Sequence, residues 1–223
     1  MQYLYHTKAK DAILEIDGDD YRHLFRVRRT KLGAILELRN LDDNKIYSYK
    51  VINIGKKSAT LELIYSEVKD VLPTKELTLG WCIIDPKNIE KTLPILNEIG
   101  VSKIVFIKCA YSQSSYKIKK EKLEKILIQS SQQCGRSSLM KIDFANSIFD
   151  FLAVYKDSYL LNFSSNLIDN KKDDIKSIVI GCEGGLSEDE ISLFNKDKIV
   201  GFKSSLILQS QSAAIAASSK IIL

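Results

Sequence analysis

The sequence predicts an α/β protein that consists of a small β-rich module followed by a larger α/β domain. Two observations predict this fold class. In the first 70 residues, short runs of partly alternating polarity are separated by turn residues, which is typical of an antiparallel sheet. After residue 73, apolar runs alternate with segments of helical periodicity, which is typical of a mostly parallel sheet covered by helices. We therefore expect two domains, residues 1–70 and 73–223.

The β-rich module is predicted to contain one short helix and a three-stranded meander. Asp19 or Asp20 can cap the helix, which extends to Val27. Asp42, Asp43 and Asn44 supply the residues for a turn between the first two strands. The strands cover residues 34–39, 45–52 and 59–64.

The α/β domain is predicted to begin after a linker at residues 66–73. Its four apolar strands cover residues 77–84, 103–107, 159–163 and 178–180. Its three long helices cover residues 88–99, 120–133 and 209–222. This alternation places the strands in one sheet with helices on both faces.

Composition excludes several classes of protein. With 45% hydrophobic and 27% charged residues, the chain is expected to fold rather than to be disordered. No apolar run approaches the roughly 20 residues of a membrane span, and the first residues lack a signal pattern. We therefore expect a soluble cytoplasmic protein without a membrane partner.

Cysteine and histidine usage gives no support for a metal site. The four cysteines lie far apart, without a Cys-x-x-Cys pair, and we expect them to be buried, reduced thiols. The only histidines are His6 and His23, so the sequence offers few candidates for the histidine of a Ser-His-Asp triad. We predict no bound metal.

Positive charge is concentrated in the middle of the chain. Residues 73–145 carry 12 basic and 7 acidic side chains, whereas residues 146–223 carry 8 and 10. This distribution is compatible with a polyanionic partner, and equally with a solvated lysine-rich helix.

The most informative segment follows the apolar strand at residues 178–180. Three glycines, Gly181, Gly184 and Gly185, come directly after it, and Ser187 with Glu190 forms a capping box that opens a short helix. Glycines permit close approach of the backbone to a ligand, and a strand, loop and helix start is a common ligand site in α/β sheets. An ordinary turn between a strand and a helix is the alternative.

The charge of this glycine-rich loop restricts its ligand. The loop lacks the pattern of a P-loop or of a dinucleotide fingerprint. Its carboxylates would repel a phosphate, so a neutral or cationic ligand, such as a sulfonium cofactor, fits better. These carboxylates belong to Glu183, Glu188, Asp189 and Glu190.

Two further segments are candidates for binding. Arg136 follows Gly135 at the end of the helix at residues 120–133, and it could satisfy carbonyls at the helix terminus or bind an RNA phosphate or base edge. The Ala- and Ser-rich helix from Gln209 has little side-chain bulk. It can pack closely inside the domain or across a dimer interface.

Five motifs occur in a characteristic order. His23 to Arg29, with Gly33, resembles a His-Leu-x-x-Val-x-Arg motif, and Pro86-Lys87 with Asn97 to Val101 resembles Pro-Lys-Gly and Glu-Leu-Gly-Val. Gln133-Cys134-Gly135-Arg136 resembles Gln-Ser/Cys-x-Arg, and Gly181 to Ser187 is similar to Gly-Pro-Glu-Gly-Gly-Phe-Ser. The whole chain thereby resembles the RsmE family of 16S rRNA uridine-N3 methyltransferases, in the SPOUT (trefoil-knot) superfamily.

The resemblance implies a PUA-like β-barrel RNA-binding domain followed by a SPOUT α/β trefoil-knot methyltransferase domain. It also implies S-adenosyl-L-methionine as cofactor, 16S rRNA in the small ribosomal subunit as partner, and an active site at a homodimer interface. The implied cofactor pocket comprises Leu161, Asn162, Phe163, Gly181, Cys182, Glu183, Gly184, Gly185, Leu206, Ile207 and Leu208. The implied RNA-binding residues are His23, Arg26, Arg28, Arg29, Lys31 and Arg136.

Catalysis in such an enzyme consists of positioning the methyl donor and removing a proton from the uracil nitrogen. Arg136 and Glu183 are the predicted catalytic residues. Arg136 would steady a uracil oxygen or a phosphate, while Glu183 and Asp85 are candidates for the base. The target uridine is expected to leave its stack to reach the cofactor.

The chain departs from the family pattern in several places. Cys182 stands where the signature has proline, and Gln209 and Gln211 stand where the family has arginine and glutamate. A basic residue usual near the N-terminus is missing, with Tyr3 and Tyr5 in that region. Two alternatives therefore stay open: a SPOUT methyltransferase acting on another RNA such as tRNA, and a catalytically inactive ribosome-binding or assembly protein.

Overall fold

The computed structural model describes residues 2–223, which form two compact units. The first unit contains the described residues up to Leu72 together with Ser131–Leu139. The second unit contains Pro73–Ser130 and Met140–Leu223. The sequence predicts two contiguous domains, whereas in the structure the first unit takes a short segment from the second half of the chain.

The first unit is built on a five-stranded sheet in the order β1-β3-β4-β5-β2. The predicted meander is confirmed, since β3, β4 and β5 pair antiparallel. Strand β1 pairs parallel with β3, and β2 pairs antiparallel with β5. The strands are β1 (Leu4–Tyr5), β2 (Ile13–Ile16), β3 (Ile35–Arg39), β4 (Lys45–Ile54) and β5 (Ala59–Val68).

The predicted helix of the first unit forms, but its start differs from the prediction. Helix α1 (Gly18–Tyr21) continues as a π-helical segment over Arg22–Val27. The prediction of an Asp19 or Asp20 cap is wrong, because both residues lie within the first turn, and Asp19 forms an ion pair with Arg22 at 3.3 Å. Leu24 and Tyr21 are buried on the face that packs into the core of this unit.

The second unit is built on a six-stranded sheet in the order β11-β9-β10-β6-β7-β8. Every pair of neighbouring strands is parallel, which confirms the prediction of a parallel sheet. Its strands are β6 (Thr78–Cys82), β7 (Lys103–Ile107), β8 (Lys141–Ala145), β9 (Tyr159–Leu161), β10 (Ser177–Ile180) and β11 (Ile199–Val200).

Among the described residues, five further α-helices accompany this sheet. They are α2 (Pro86–Ile99), α3 (Lys120–Cys134), α4 (Ile148–Val154), α5 (Glu188–Ser192) and α6 (Ser210–Ile222). Asp85 caps α2 by accepting a hydrogen bond from the Lys87 backbone amide at 2.7 Å, and proline at the first helical position suits this start. Gly100 ends α2 with a positive φ of 111°, a conformation that glycine adopts without strain.

The register of three neighbouring strands brings their carboxyl ends together. Ile180 at the end of β10 pairs with Leu161 at the end of β9, which pairs with Val200 at the end of β11. Because these strands are parallel, the segments that follow them leave the same edge of the sheet. The trefoil knot that the resemblance implies stays a prediction. Within residues 2–223, no helix combines the length and apolar character needed to cross a membrane.

Candidate functional site

A cavity of about 700 Å³ lies where β9, β10 and β11 end. All 11 residues that the sequence analysis assigns to a cofactor pocket line this cavity. They come from three separate segments, residues 161–163, 181–185 and 206–208. The lining residues that the sequence analysis did not assign are Ser164, Ile180, Phe202, Ser204, Gln209, Ser210 and Ala213.

The glycine-rich loop after β10 forms a tight turn at the cavity wall. The Gly185 amide donates to the Cys182 carbonyl at 3.0 Å, and Gly185 has a φ of +74°. A Cβ atom at Gly185 would meet no atom within 4 Å, whereas one at Gly184 would lie 3.1 Å from Tyr111 Cβ. The two positions therefore differ: Gly185 borders open space, and Gly184 packs against the segment after β7.

The predicted capping box is confirmed. Ser187 Oγ accepts from the Glu190 amide at 3.2 Å, and Glu190 Oε2 accepts from the Ser187 amide at 2.9 Å. The other carboxylate oxygen of Glu190 accepts from the Ala110 amide at 2.8 Å. Glu190 thereby ties the glycine-rich loop to the segment that follows β7.

Ser210 is a site residue that the sequence analysis did not assign. Its side chain is 4% exposed. Trp81 Nε1 donates to Ser210 Oγ at 2.9 Å, and Ser210 Oγ donates to the Gly181 carbonyl at 2.5 Å. This chain of hydrogen bonds fixes the first glycine of the loop to β6 and to the start of α6. The only signal in the sequence for this role of Ser210 is a serine at the first position of the last helix.

The cavity wall carries less negative charge than the sequence predicts. Among the described residues that line the cavity, Glu183 is the only charged one, and its side chain is exposed. Glu188 and Asp189 do not line it, because α5 carries them past the loop, and Glu190 is engaged in the capping box. The preference for a neutral or cationic ligand still holds, since the lining residues include one carboxylate and no basic side chain.

Three of the apolar side chains that line the cavity remain accessible. Phe163, Leu206 and Ile207 are 77%, 75% and 81% exposed. Apolar side chains beside a few polar groups are typical of small-molecule sites.

The two glutamines that replace charged family residues contact each other. Gln211 Nε2 donates to Gln209 Oε1 at 2.6 Å. Gln209 lines the cavity, whereas Gln211 does not, and Gln211 Oε1 is buried without a hydrogen-bond partner among the described residues.

Arg136 lies in the first unit and is 5% exposed. Tyr3 Oη donates to its backbone carbonyl at 2.7 Å, and Arg136 Nε donates to Ser138 Oγ at 3.4 Å. Burial lowers the pKa of the Arg136 guanidinium and raises the pKa of the Tyr3 hydroxyl. Helix α3 ends at Cys134, and the next residue, Gly135, has a φ of +90° and donates its amide to the Ser131 carbonyl.

The other predicted RNA-binding residues are exposed on the first unit, in the π-helical segment and the loop that follows it. They are His23, Arg26, Arg28, Arg29 and Lys31. Arg26 donates to the Lys56 carbonyl at 2.9 Å, and its guanidinium lies 5.5 Å from the centre of the Tyr21 ring. These contacts hold Arg26 against the first unit's surface.

The thiols differ from the prediction at one position. Cys82, Cys109 and Cys182 are buried and free, as expected, whereas Cys134 at the end of α3 is exposed. Among the described residues, no group of three or more His, Cys, Asp or Glu side chains is arranged to hold a metal ion. Asp85, the alternative base, caps α2 and does not line the cavity.

Comparisons with known proteins agree with this architecture and extend it. The family model of an RNA methyltransferase domain matches residues 71–222, and that of an RNA methyltransferase PUA domain matches residues 16–64. The chain is 38% identical over 218 residues to the ribosomal RNA small subunit methyltransferase E of Helicobacter pylori, covering 96% of both chains. The chain belongs to the RsmE family.

Solved structures share the fold of this RsmE-family chain at lower identity. A probable rRNA methyltransferase from Porphyromonas gingivalis aligns with a TM-score of 0.83 at 20% identity, covering 99% of this chain and 97% of the other. The ribosomal RNA small subunit methyltransferase E of Neisseria gonorrhoeae, solved bound to S-adenosyl methionine, aligns with a TM-score of 0.79 at 17% identity. That alignment covers 98% of this chain and 95% of the other. The likeness confirms the mixed α/β fold with a curled N-terminal sheet and a parallel C-terminal sheet.

Proposed function

We propose that this protein is an S-adenosyl-L-methionine-dependent methyltransferase that methylates N3 of a specific uridine in 16S rRNA of the small ribosomal subunit. The family models and the H. pylori relative support an rRNA methyltransferase. The observation that carries the cofactor assignment is that three segments distant in sequence line one cavity, and that these are the segments in which the family resemblance implies a cofactor pocket.

The residues at the cavity fit this cofactor in size and charge. A volume of about 700 Å³ lies within the roughly 300–1,000 Å³ typical of small-molecule sites. The single carboxylate of Glu183, with no basic side chain among the described residues of the lining, suits a ligand that carries a positive sulfur. The open space beside Gly185 allows the backbone to approach the ligand closely. When bound, S-adenosyl-L-methionine supplies a methyl group already activated for transfer.

Each segment of the cavity has a proposed part in binding. Backbone groups of residues 181–185 and 206–208 hold the adenine and ribose. Leu161, Asn162 and Phe163 close the pocket after β9. Ser210, through the Gly181 carbonyl, keeps the glycine-rich loop in the position that binding requires.

The reaction requires that the uracil nitrogen lose its proton and that the base be held in line with the methyl group. Glu183 is the proposed proton acceptor, because it is the charged side chain at the cavity and is exposed to an incoming base. Arg136 is proposed to steady a uracil oxygen or a phosphate. Because its guanidinium is buried, RNA binding has to make it accessible.

The RNA is proposed to bind through the exposed basic side chains of the first unit, which would contact phosphates next to the target. Exposed apolar residues at the cavity, Phe163, Leu206 and Ile207, support the proposal of a homodimer whose interface completes the site. With ribosomal RNA as the substrate, the reaction takes place in the cytoplasm.

The decisive experiment is transfer of a radiolabelled methyl group to small subunits and, in parallel, to total tRNA, both isolated from cells that lack the enzyme. The labelled RNA is digested and its nucleosides are identified by mass spectrometry. We expect label in 3-methyluridine of 16S rRNA. Label in tRNA instead would overturn the choice of substrate and favour the alternative methyltransferase.

The inactive ribosome-binding protein is the second candidate, and the Gln209–Gln211 contact motivates it, because two neutral amides stand where the family has charged residues. Cofactor binding by calorimetry without methyl incorporation into any RNA would favour this candidate. Restoration of activity by Gln209→Arg with Gln211→Glu would then assign the loss to these two positions.

A further inference from the structure

Three cysteines, one of them in the glycine-rich loop, lie close together although they are far apart in sequence. Cys82 is the last residue of β6, and Cys109 and Cys182 lie two residues past the ends of β7 and β10. Since β6 lies between β10 and β7, the three thiols come from neighbouring strand ends. All three are buried, with exposures of 0%, 9% and 6%.

Within this cluster, Cys109 and Cys182 are in direct contact. Their Sγ atoms are 3.5 Å apart, within hydrogen-bonding distance for two thiols. Cys182 Sγ also donates to the Gly185 carbonyl at 3.3 Å, and Cys109 Sγ lies 3.1 Å from Ser112 Oγ. Cys182 itself lines the cavity, so this pair connects the wall of the site to the segment behind it.

The two sides of the pair differ in how firmly they are held. The segment that carries Cys109 is fixed by Glu190, which accepts from the Ala110 amide, and by Ser112, which donates to the Ile83 carbonyl at 3.2 Å. Cys182 stands between Gly181 and Gly184 in a loop whose glycines permit a wide range of backbone angles. A bond between the two sulfurs would therefore move Cys182 more than Cys109.

We infer that Cys109 and Cys182 form an oxidisable pair, whose disulfide distorts the glycine-rich loop and weakens binding of the methyl donor. The inference rests on the proposed function, because it assigns regulation to the same cavity. A disulfide requires the sulfurs to approach to about 2 Å, so the Cys182 side chain has to shift toward Cys109. The Cys182 thiol hydrogen is lost in the reaction, and with it the hydrogen bond to the Gly185 carbonyl.

The chemistry balances with a peroxide as the oxidant. The Cys109 thiolate attacks one peroxide oxygen, the O–O bond breaks, and the departing hydroxide takes a proton to become water, which leaves a sulfenic acid. The Cys182 thiol then loses its proton and attacks the Cys109 sulfur, and hydroxide leaves and is protonated. In sum, two thiols and one hydrogen peroxide give one disulfide and two waters.

The surroundings favour Cys109 as the attacking thiol. The pKa of Cys109 is lowered because the thiols of Cys182 and Cys82, and the hydroxyl of Ser112, can turn their hydrogens toward a thiolate. The pKa of Cys182 is raised, because an anionic Cys109 sulfur beside it favours keeping the Cys182 hydrogen in place and because Cys182 is itself buried. Cys182 accordingly acts as the resolving thiol.

The test uses peptide mapping of the full chain after treatment with hydrogen peroxide. Tryptic cleavage leaves Cys109 on residues 109–117 and Cys182 on residues 177–196, while Cys82 and Cys134 fall on two other peptides. We expect a disulfide-linked pair of the 109–117 and 177–196 peptides that disappears on reduction. We also expect S-adenosyl-L-methionine to bind the oxidised protein at least about tenfold more weakly by calorimetry, since the loop loses a hydrogen bond, with recovery after dithiothreitol.

Two variants control this experiment. Cys109→Ser is expected to show no linked peptide and an affinity that peroxide leaves unchanged. Cys82→Ala, at the third thiol of the cluster, is expected to form the link as the wild type does. Absence of the linked peptide in the peroxide-treated wild type, or a linked protein with unchanged affinity, would overturn the inference. A reduced wild type that does not bind S-adenosyl-L-methionine would overturn the proposed function instead, while the mapped peptides would still decide the thiol pair.

Discussion

Trp81 and Ser210 are 129 residues apart in sequence, and the indole Nε1 of Trp81 donates to Ser210 Oγ at 2.9 Å. Trp81 is fully buried in β6, and Ser210 begins α6. Ser210 Oγ in turn donates a hydrogen bond to the Gly181 carbonyl. The tryptophan therefore orients the hydroxyl, and the hydroxyl positions the loop. The glycine-rich loop is therefore anchored at its first residue, although its remaining glycines give it freedom.

Ser210→Ala is expected to weaken both folding and cofactor binding. The substitution leaves the Trp81 N–H and the Gly181 carbonyl without their shared partner, at a cost of about 1–3 kcal/mol in the free energy of unfolding. S-adenosyl-L-methionine affinity falls as well, because Gly181 loses its anchor. Urea denaturation and calorimetry measure the two effects. Ser212→Ala, at an exposed serine of the same helix, serves as control and should stay within about 0.5 kcal/mol of the wild type. Wild-type cofactor affinity in Ser210→Ala would contradict the anchoring role.

Gly185→Ala and Gly33→Ala form a matched pair for the glycine-rich loop. Both glycines have a positive φ, +74° and +80°, and a Cβ at either meets no atom within 4 Å. Each substitution is expected to cost roughly 1–2 kcal/mol of stability through backbone strain. Only Gly185→Ala should lower cofactor affinity, because only Gly185 lines the cavity. Equal affinities of the two variants for S-adenosyl-L-methionine would show that the loop backbone at Gly185 does not take part in binding.

Gly184 both lines the cavity and packs against a neighbouring segment. The sequence pattern indicates that the missing side chain leaves space for a ligand. In the structure, a Cβ at Gly184 would crowd Tyr111 Cβ at 3.1 Å. The glycine therefore lets the loop pack against the segment after β7, while both Gly184 and Gly185 line the cavity and open space lies beside Gly185.

Elements with a strong local signal could be predicted from the sequence. Strand β7 covers the predicted residues 103–107, and the capping box at Ser187 and Glu190 forms as its spacing indicates. Local propensity and hydrogen bonding determine such elements. The 11 predicted residues of the cavity could be named from the sequence because the family resemblance indicates three separate segments for the pocket. No local sequence pattern connects these segments.

The features of the fold and of the site that could not be predicted depend on contacts between residues distant in sequence. Strand β11 has only two residues and is held by pairing with β9, so periodicity could not reveal it. The Trp81–Ser210 hydrogen bond and the cluster of thiols arise from strand order, which a single sequence does not specify. Glu188 and Asp189 are close in sequence to the glycines, so the sequence predicts that they lie at the ligand. In the structure they belong to α5 and do not line the cavity.

Glu183→Gln is expected to discriminate between a charged and a neutral ligand. The variant removes the one charge that lines the cavity among the described residues, and it preserves shape. Affinity for S-adenosyl-L-methionine should fall severalfold, since an exposed charge pair contributes about 0.2–1 kcal/mol. Affinity for S-adenosylhomocysteine, whose sulfur is neutral, should not change. Calorimetry with both ligands measures this difference, and an equal loss for the two would exclude a role for the carboxylate charge.

Arg136→Ala is expected to separate binding of the cofactor from methyl transfer. Affinity for S-adenosyl-L-methionine should stay near that of the wild type, while transfer to small subunits falls about 10- to 100-fold through loss of a charged hydrogen bond. Because the side chain is buried, unfolding is measured in parallel and activity is assayed well below the melting temperature. Arg136→Lys retains the charge without the planar guanidinium. Full activity in Arg136→Ala would count against the proposed role.

Arg28→Ala with Lys31→Ala is expected to weaken RNA binding in a salt-dependent manner. Both side chains are exposed on the first unit, beside the helical segment. If each binds a phosphate, the slope of log K against log salt concentration decreases in magnitude by about 0.7 to 0.9 for each phosphate that is no longer neutralised. Cofactor affinity should not change, because neither residue lines the cavity. The matched control is Lys172→Ala with Lys176→Ala, which removes two exposed charges from the second unit. The two double variants therefore have the same net charge. An identical salt slope in the two double variants would mean that the basic residues of the first unit act only through net charge and do not touch the RNA backbone.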